Sequence, residues 1–165
     1  MHAVYWIVGA VAAQRLVEMI VAARNTRRLM ADGALQVAGD VYPALVVLHI
    51  AWLGSILAFV PPDTPPDWRV LAAYVALQGV RYWVMASLGR FWTTRLIAVP
   101  HAPVIRTGPY RFVRHPNYLV VVAEIFLLPL VFNAWAICIV FSIVNAALLS
   151  QRIRMEERTL AIRSG

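Results

Sequence analysis

Residues 117–150 read NYLVVVAEIFLLPLVFNAWAICIVFSIVNAALLS, and Glu124 is the one charged side chain among them. A membrane helix takes roughly 17–25 apolar residues, so this stretch is too long for one and accommodates two short ones. The Asn133-Ala134 junction is so short that the pair has to be an antiparallel helical hairpin, with span four near Asn117–Phe132 and span five near Ala134–Ser150.

Immediately before the hairpin lies Thr107-Gly108-Pro109-Tyr110-Arg111-Phe112-Val113-Arg114-His115-Pro116-Asn117-Tyr118. Proline lacks an amide donor and glycine favours turn geometry, so this basic and aromatic segment is a helix-breaking loop. It gathers Tyr110, Arg111, Arg114, His115, Asn117 and Tyr118 at the mouth of whatever the apolar segments form. After the hairpin, Arg152, Glu156 and Glu157 continue span five. Arg152 and Glu156 are four apart and share a helical face.

The N-terminal half reads as three further spans, near Val4–Ala23, Tyr42–Val60 and Trp68–Leu88. Between the first two, residues 31–41 read as a polar loop or a short interfacial helix. Pro61-Pro62-Asp63-Thr64-Pro65-Pro66-Asp67 is a loop that no helix could cross. The first apolar run lacks a basic n-region before it and a small-residue cleavage site, so it reads as a retained anchor. With 61% hydrophobic and 14% charged residues and a mean hydropathy of +0.69, the chain falls outside the composition of soluble domains. It is expected to be an all-α integral membrane protein of about five transmembrane helices. Residues 1–165 form one membrane domain, with three N-terminal spans in 1–88 and the connection, hairpin and C-terminal helix in 89–165.

A net charge of +7 would suit nucleic acid, but the arginines sit in the connections, a pattern of membrane topology and anionic headgroups. Membrane lipids are therefore expected partners and nucleic acid is not. The positive-inside rule puts Arg24, Arg27, Arg28, the 89–114 connection and the tail in the cytoplasm, with the N-terminus outside. The lone Cys138 is a packing residue, and His2, His49, His101 and His115 have no metal-ligand spacing.

Inside the spans lie Gln14, Arg15, Glu18, His49, Gln78, Arg81, Glu124 and Asn145. Counted from the cytoplasmic ends at about 1.5 Å per residue, all fall at a similar depth of roughly 8–15 Å. One reading is mutual satisfaction, with Arg15 beside Glu18 and Arg81 neutralising Glu124. The other, favoured because the polar residues lie in one layer, is an internal pocket open to the cytoplasm in which Arg81, Glu18 and Asn145 meet substrate.

Gly-Pro-Tyr-Arg-x-x-Arg-His-Pro-x-Tyr at 108–118, a hairpin, and Arg-Ile-x-x-Glu-Glu-x-x-Leu at 152–160 together resemble the isoprenylcysteine carboxyl methyltransferase family. The resemblance implies a membrane enzyme that moves a methyl group from S-adenosylmethionine to a lipophilic acceptor. It implies that His115, Tyr118 and Glu157 contact the cofactor, that Pro116 shapes the turn, and that Tyr110 and His101 are weaker members of the set. Arg152 and Glu156 would stand at the reacting end. Leu119, where many relatives have glycine, and Glu124 in the hairpin point away from a copy of the prenylcysteine enzyme. Compact bacterial relatives are thought to methylate lipophilic phenol or pyrone hydroxyls, in which case Glu124 or Glu156 would serve as general base. Two other readings compete: a membrane reductase using NADPH, which shares the Arg-His-Pro-Asn-Tyr string, and a non-catalytic membrane subunit or carrier.

Overall fold

The structure is a computed structural model that describes residues 2–37, 39–99 and 105–163, with side chains described as far as Glu157. Five α-helices are present: α1 (Ala3–Ala31), α2 (Tyr42–Phe59), α3 (Trp68–Leu88), α4 (Pro116–Leu130) and α5 (Trp135–Arg163). Large apolar side chains point outwards, including Trp6, Ile50, Phe59 and Ile143, each more than 60% exposed. In water this surface would drive association; in a bilayer it is the face that lipid covers. The chain is an all-α integral membrane protein. By length and composition α1, α2 and α5 can each cross a membrane. Helix α4 has 15 residues, about 22 Å of rise against a hydrocarbon core of about 30 Å.

The helices bury narrow stripes. On α1 these are Val4, Val8, Val11, Glu18, Ala22, Asn25 and Leu29, a three-and-four spacing that keeps one face inward along the whole helix. Val4, Val8 and Val11 join Leu48, Trp52 and Ile56 of α2, Tyr74 of α3, and Ile125, Leu128 and Phe132 of the hairpin in one core. Asn133 takes a positive φ of 55° in the turn between α4 and α5. Asparagine tolerates that left-handed conformation better than most residues, which is why so short a link can reverse the chain. Cys138 is buried and directs its Sγ at the Phe126 carbonyl, 3.2 Å away, across the hairpin.

The two ends of the bundle differ. At one, the Asp67 amide donates to the Val131 carbonyl at 2.7 Å, and the Asp67 carboxylate caps α3 through the Arg69 and Val70 amides. That ties the proline-rich loop to the hairpin turn. At the other, α1 ends in a glycine-terminated cap: Gly33 has φ 89°, and the Gly33 and Ala34 amides donate to the Met30 and Leu29 carbonyls. The chain then forms a two-residue strand, β1 (Leu35–Gln36), antiparallel to β2 (Ile97–Ala98). The segment that read as a polar loop or interfacial helix is thus a ribbon partner for a strand more than 60 residues away. Asn25 fixes the connection after α3 by donating to the Gly89 and Trp92 carbonyls at 3.2 and 2.9 Å.

Gly108 opens the 3-10 turn Gly108–Arg111 with φ 56°, and a Cβ built there would overlap Ser87 Oγ on α3. Glycine is required twice over, by backbone sign and by space. Gly108→Ala is therefore expected to cost about 1–3 kcal/mol of local strain and to displace the loop that leads into His115. The thermal midpoint measures this, and Ser87→Gly in the same chain should recover the steric part. A wild-type midpoint in Gly108→Ala would show that the loop needs no such contact.

Candidate active site

Pro116 stands at the first turn of α4, where its missing amide is harmless, and Tyr118 lies half a turn further on. Tyr118 donates its hydroxyl hydrogen to Glu156 Oε2 at 2.8 Å and accepts from Arg152 Nε at 3.1 Å. One phenol thus bridges the two α5 residues that share a helical face. The His115 ring stacks on Tyr118 with centroids 5.3 Å apart and planes 16° off parallel, and its Nδ1 lies 3.6 Å from Glu156 Oε2. Burial, with Glu156 nearby, holds the Tyr110 phenol above its ordinary pKa.

Arg152 is buried and committed on its other edge as well. Its Nη2 donates to the Thr94 carbonyl at 2.7 Å, and its Nη1 lies 3.6 Å from Asp40 Oδ1. Asp40 is held by the Tyr42 and Leu96 amides at 3.1 and 2.8 Å. Sequence reasoning overlooked Asp40 and Thr94. The signal for Asp40 was a turn-forming acid between Gly39 and the Tyr42-Pro43 start of α2. Nothing in the sequence marked the Thr94 carbonyl.

Below this cluster lies a cavity of about 360 Å³. Its apolar wall includes Leu45, Val46, Ile50 and Leu53 of α2, Leu16 and Met19 of α1, and Val121 of α4; Tyr118, Asn117, Arg152, Thr93 and Thr94 face it from the connection after α3 and from the ends of α4 and α5. Leu16, Met19 and Ile50 also reach the outer surface, so the cavity meets the lipid-facing side between α1 and α2. Asn117 lines the cavity, but its Oδ1 is fully buried and has no partner.

The polar layer is real and mostly self-satisfied. Arg15 donates to Glu18 Oε2 at 2.8 Å and to Glu124 Oε1 at 2.6 Å. Arg81 donates to both oxygens of Glu18 at 2.7 and 2.6 Å and to Glu124 Oε2 at 3.0 Å. Gln14 adds bonds to Glu18 and Gln78. Two arginines and two glutamates alternate in a closed cage that joins α1, α3 and α4. Both expected pairs are present, merged into one unit whose Arg15, Glu18 and Arg81 also line the cavity.

Residues 70–162 match the model of the isoprenylcysteine carboxyl methyltransferase family. The chain belongs to this family. It is 38% identical over 161 residues to the uncharacterized protein YpbQ of Bacillus subtilis, covering 94% of this chain and 96% of the relative. An uncharacterized protein of Haemophilus influenzae is 22% identical over 158 residues, covering 93% and 92%. No solved structure matches the chain. The isoprenylcysteine carboxyl methyltransferase family is one of membrane methyltransferases that in general use S-adenosylmethionine.

Within this family member, the expected site residues separate into groups. His115, Pro116, Tyr118, Tyr110, Arg152 and Glu156 come together around the α4 start and the α5 face. Glu157 is exposed beside them, because one residue along a helix turns the side chain by about 100°. His101 lies outside the described residues. Glu124, expected as an alternative base, is 1% exposed, has a guanidinium on each oxygen and is absent from the cavity wall. Asn145, expected to meet substrate, is buried with neither polar atom partnered and is likewise absent from that wall.

Proposed function

We propose that the chain is an S-adenosylmethionine-dependent O-methyltransferase acting on a phenolic or enolic hydroxyl of a lipophilic acceptor. The observation that carries this reading is the Arg152–Tyr118–Glu156 relay, whose Arg152 and Tyr118 line the head of a cavity that reaches the lipid face while Glu156 stands behind Tyr118. Two carboxylates, Asp40 and Glu156, flank one guanidinium, so the cluster has an excess of one formal negative charge. That excess favours a cationic sulfonium and disfavours an anionic carboxylate acceptor, since Arg152 is already engaged by Asp40. The stacked His115–Tyr118 pair adds an aromatic face of the kind a nucleoside base uses.

When bound, S-adenosylmethionine supplies an electrophilic methyl group on sulfur. The chain aligns the acceptor oxygen with that methyl by confining the apolar body of the acceptor between α1 and α2, which converts encounter into an effectively unimolecular step. Glu156, partly exposed beside Tyr118 at the head of the cavity rather than on its wall, would take the hydroxyl proton as the oxygen–methyl bond forms and the methyl–sulfur bond breaks, the sulfur leaving as a neutral thioether. Tyr118 holds that carboxylate in place, and Arg152 holds Tyr118. Acceptor comes in from the bilayer beside α1. On this reading the chain crosses a bacterial inner membrane five times, with the N-terminus outside, the C-terminus in the cytoplasm and the relay at the cytoplasmic side, a reading supported by the arginines of the connections.

The test is isothermal titration of the detergent-purified chain with S-adenosylhomocysteine and, in parallel, NADPH. Labelled methyl transfer to para-dodecylphenol and to dodecanoic acid follows. Micromolar binding of S-adenosylhomocysteine alone, with the phenol as the better acceptor, is expected. Saturable NADPH binding without S-adenosylhomocysteine would replace the reading with a reductase. Preferential methylation of the acid would move the activity to carboxyl groups.

A further inference from the structure

Along α2, the side chains facing the cavity are Tyr42, Leu45, Val46, His49, Ile50 and Leu53. Beyond Tyr42 at the cytoplasmic end, His49 is the one polar member of that set. Its Nδ1 lies 2.7 Å from the Leu45 carbonyl. A carbonyl only accepts, so Nδ1 carries the hydrogen, and in the neutral ring Nε2 is left as an acceptor. Among the described residues Nε2 has no hydrogen-bond partner, and it is not one of the fully buried unpartnered atoms. Its lone pair is therefore open to the cavity. Well below the relay, beside the wall formed by Arg15, Glu18 and Arg81, the cavity thus offers one open neutral acceptor.

The neighbouring charges define what can sit there. In the Arg15–Glu18–Arg81–Glu124 cage the two guanidiniums and two carboxylates balance, and each carboxylate oxygen already accepts from a guanidinium. A charged ligand group would be desolvated without a counter-ion, whereas a neutral donor gains a hydrogen bond at Nε2. His49 lies seven residues past Tyr42, about 10 Å deeper along the helix, while Asp40 and Arg152 mark the reacting end.

We propose that His49 is a specificity-determining residue whose Nε2 accepts a hydrogen bond from a second, neutral donor on the lipophilic acceptor, a hydroxyl or amide N–H about one helix turn and a half to two turns from the methylated oxygen. The acceptor class is thereby narrowed to amphiphiles with two separated polar groups joined by an apolar body. This rests on the methyltransferase reading above. It does not make His49 a base for the reacting hydroxyl, because Glu156 occupies that end.

The test compares two probes on the full-length protein in detergent with S-adenosylhomocysteine bound. One is para-dodecylphenol; the other is the same phenol with a hydroxyl on the fourth carbon of its chain. The hydroxylated probe is expected to bind wild type roughly tenfold more tightly, as one neutral hydrogen bond in an apolar site allows. In His49→Phe that preference should vanish while the plain phenol keeps its affinity. In His49→Gln, whose amide oxygen can accept in place of Nε2, part of the preference should return. Equal affinity of the two probes for wild type, or a preference that survives in His49→Phe, overturns the role of His49 and leaves the methyltransferase reading intact. If neither probe binds while S-adenosylhomocysteine does, the cavity is not the acceptor site and both proposals about it fall.

Discussion

Glu156→Gln is expected to lower kcat for a phenolic acceptor by about 10²–10⁴, the range that a positioned proton acceptor contributes. The substitution keeps the side chain's size and its ability to accept from the Tyr118 hydroxyl, which now lies 2.8 Å from Oε2. What it removes is the capacity to take a proton. A structural role and a base role therefore predict different behaviour as the acceptor changes. A nitro-substituted alkylphenol is largely ionised without help, so its rate should fall far less than that of the unsubstituted phenol. An equal loss for the two acceptors would mean that Glu156 orients rather than accepts, and an unchanged kcat would remove it from the chemistry. Tyr118→Phe adds a second check, because it deletes the bridge but leaves the carboxylate. Its kcat should drop by less than that of Glu156→Gln. Arg152→Ala should resemble it, since Arg152 acts through Tyr118 and holds Asp40.

How far the sequence reveals this site depends on how local each signal is. The hairpin is legible at once, because an apolar run too long for one crossing has a turn-competent Asn133 near its middle. The Arg152–Glu156 face is legible from helical spacing alone. The same spacing carried a warning about Glu157, which cannot share that face with its neighbour, and the structure leaves it exposed. The polar layer is half legible. Depth can be counted along each helix, but rotation about the helix axis cannot, and rotation decides that Glu124 turns into the cage while Asn145 stays apart from the cavity. Least legible are the contacts made by long-range pairing. The β1–β2 ribbon joins Leu35 to Ala98 through two residues on each side, too short to show any periodicity. Asp40 reaches Arg152 from the connection next to that ribbon. A residue whose partner lies more than a hundred positions away leaves no trace in local pattern, and the cavity formed by six separate segments leaves none either.

Arg81→Met is expected to destabilise the protein by about 3–5 kcal/mol, the usual consequence of stranding a buried charge. Glu18 and Glu124 would then share the single guanidinium of Arg15, in surroundings that neither lipid nor water can solvate. Glu124→Leu should be similarly harmful, since it leaves two guanidiniums to one carboxylate. The double variant Arg81→Met with Glu124→Leu restores balance as a simple Arg15–Glu18 pair, three residues apart on α1. It should therefore melt above either single variant, a coupling that independent sites would not give. The measurement is the thermal midpoint of the detergent-purified variants at one fixed scan rate. Additive losses would mean that the four side chains do not act as a unit. The physical reason to expect coupling is that helices in lipid have little hydrophobic drive to associate, so packing and polar contacts between them carry more of the load. Helices α1, α3 and α4 meet through this cage, and the same arginines and Glu18 form the inner wall of the cavity. A chamber that opens towards lipid between α1 and α2 needs its opposite wall held rigidly, and a charge-balanced cage does so without placing a net charge beside a neutral acceptor.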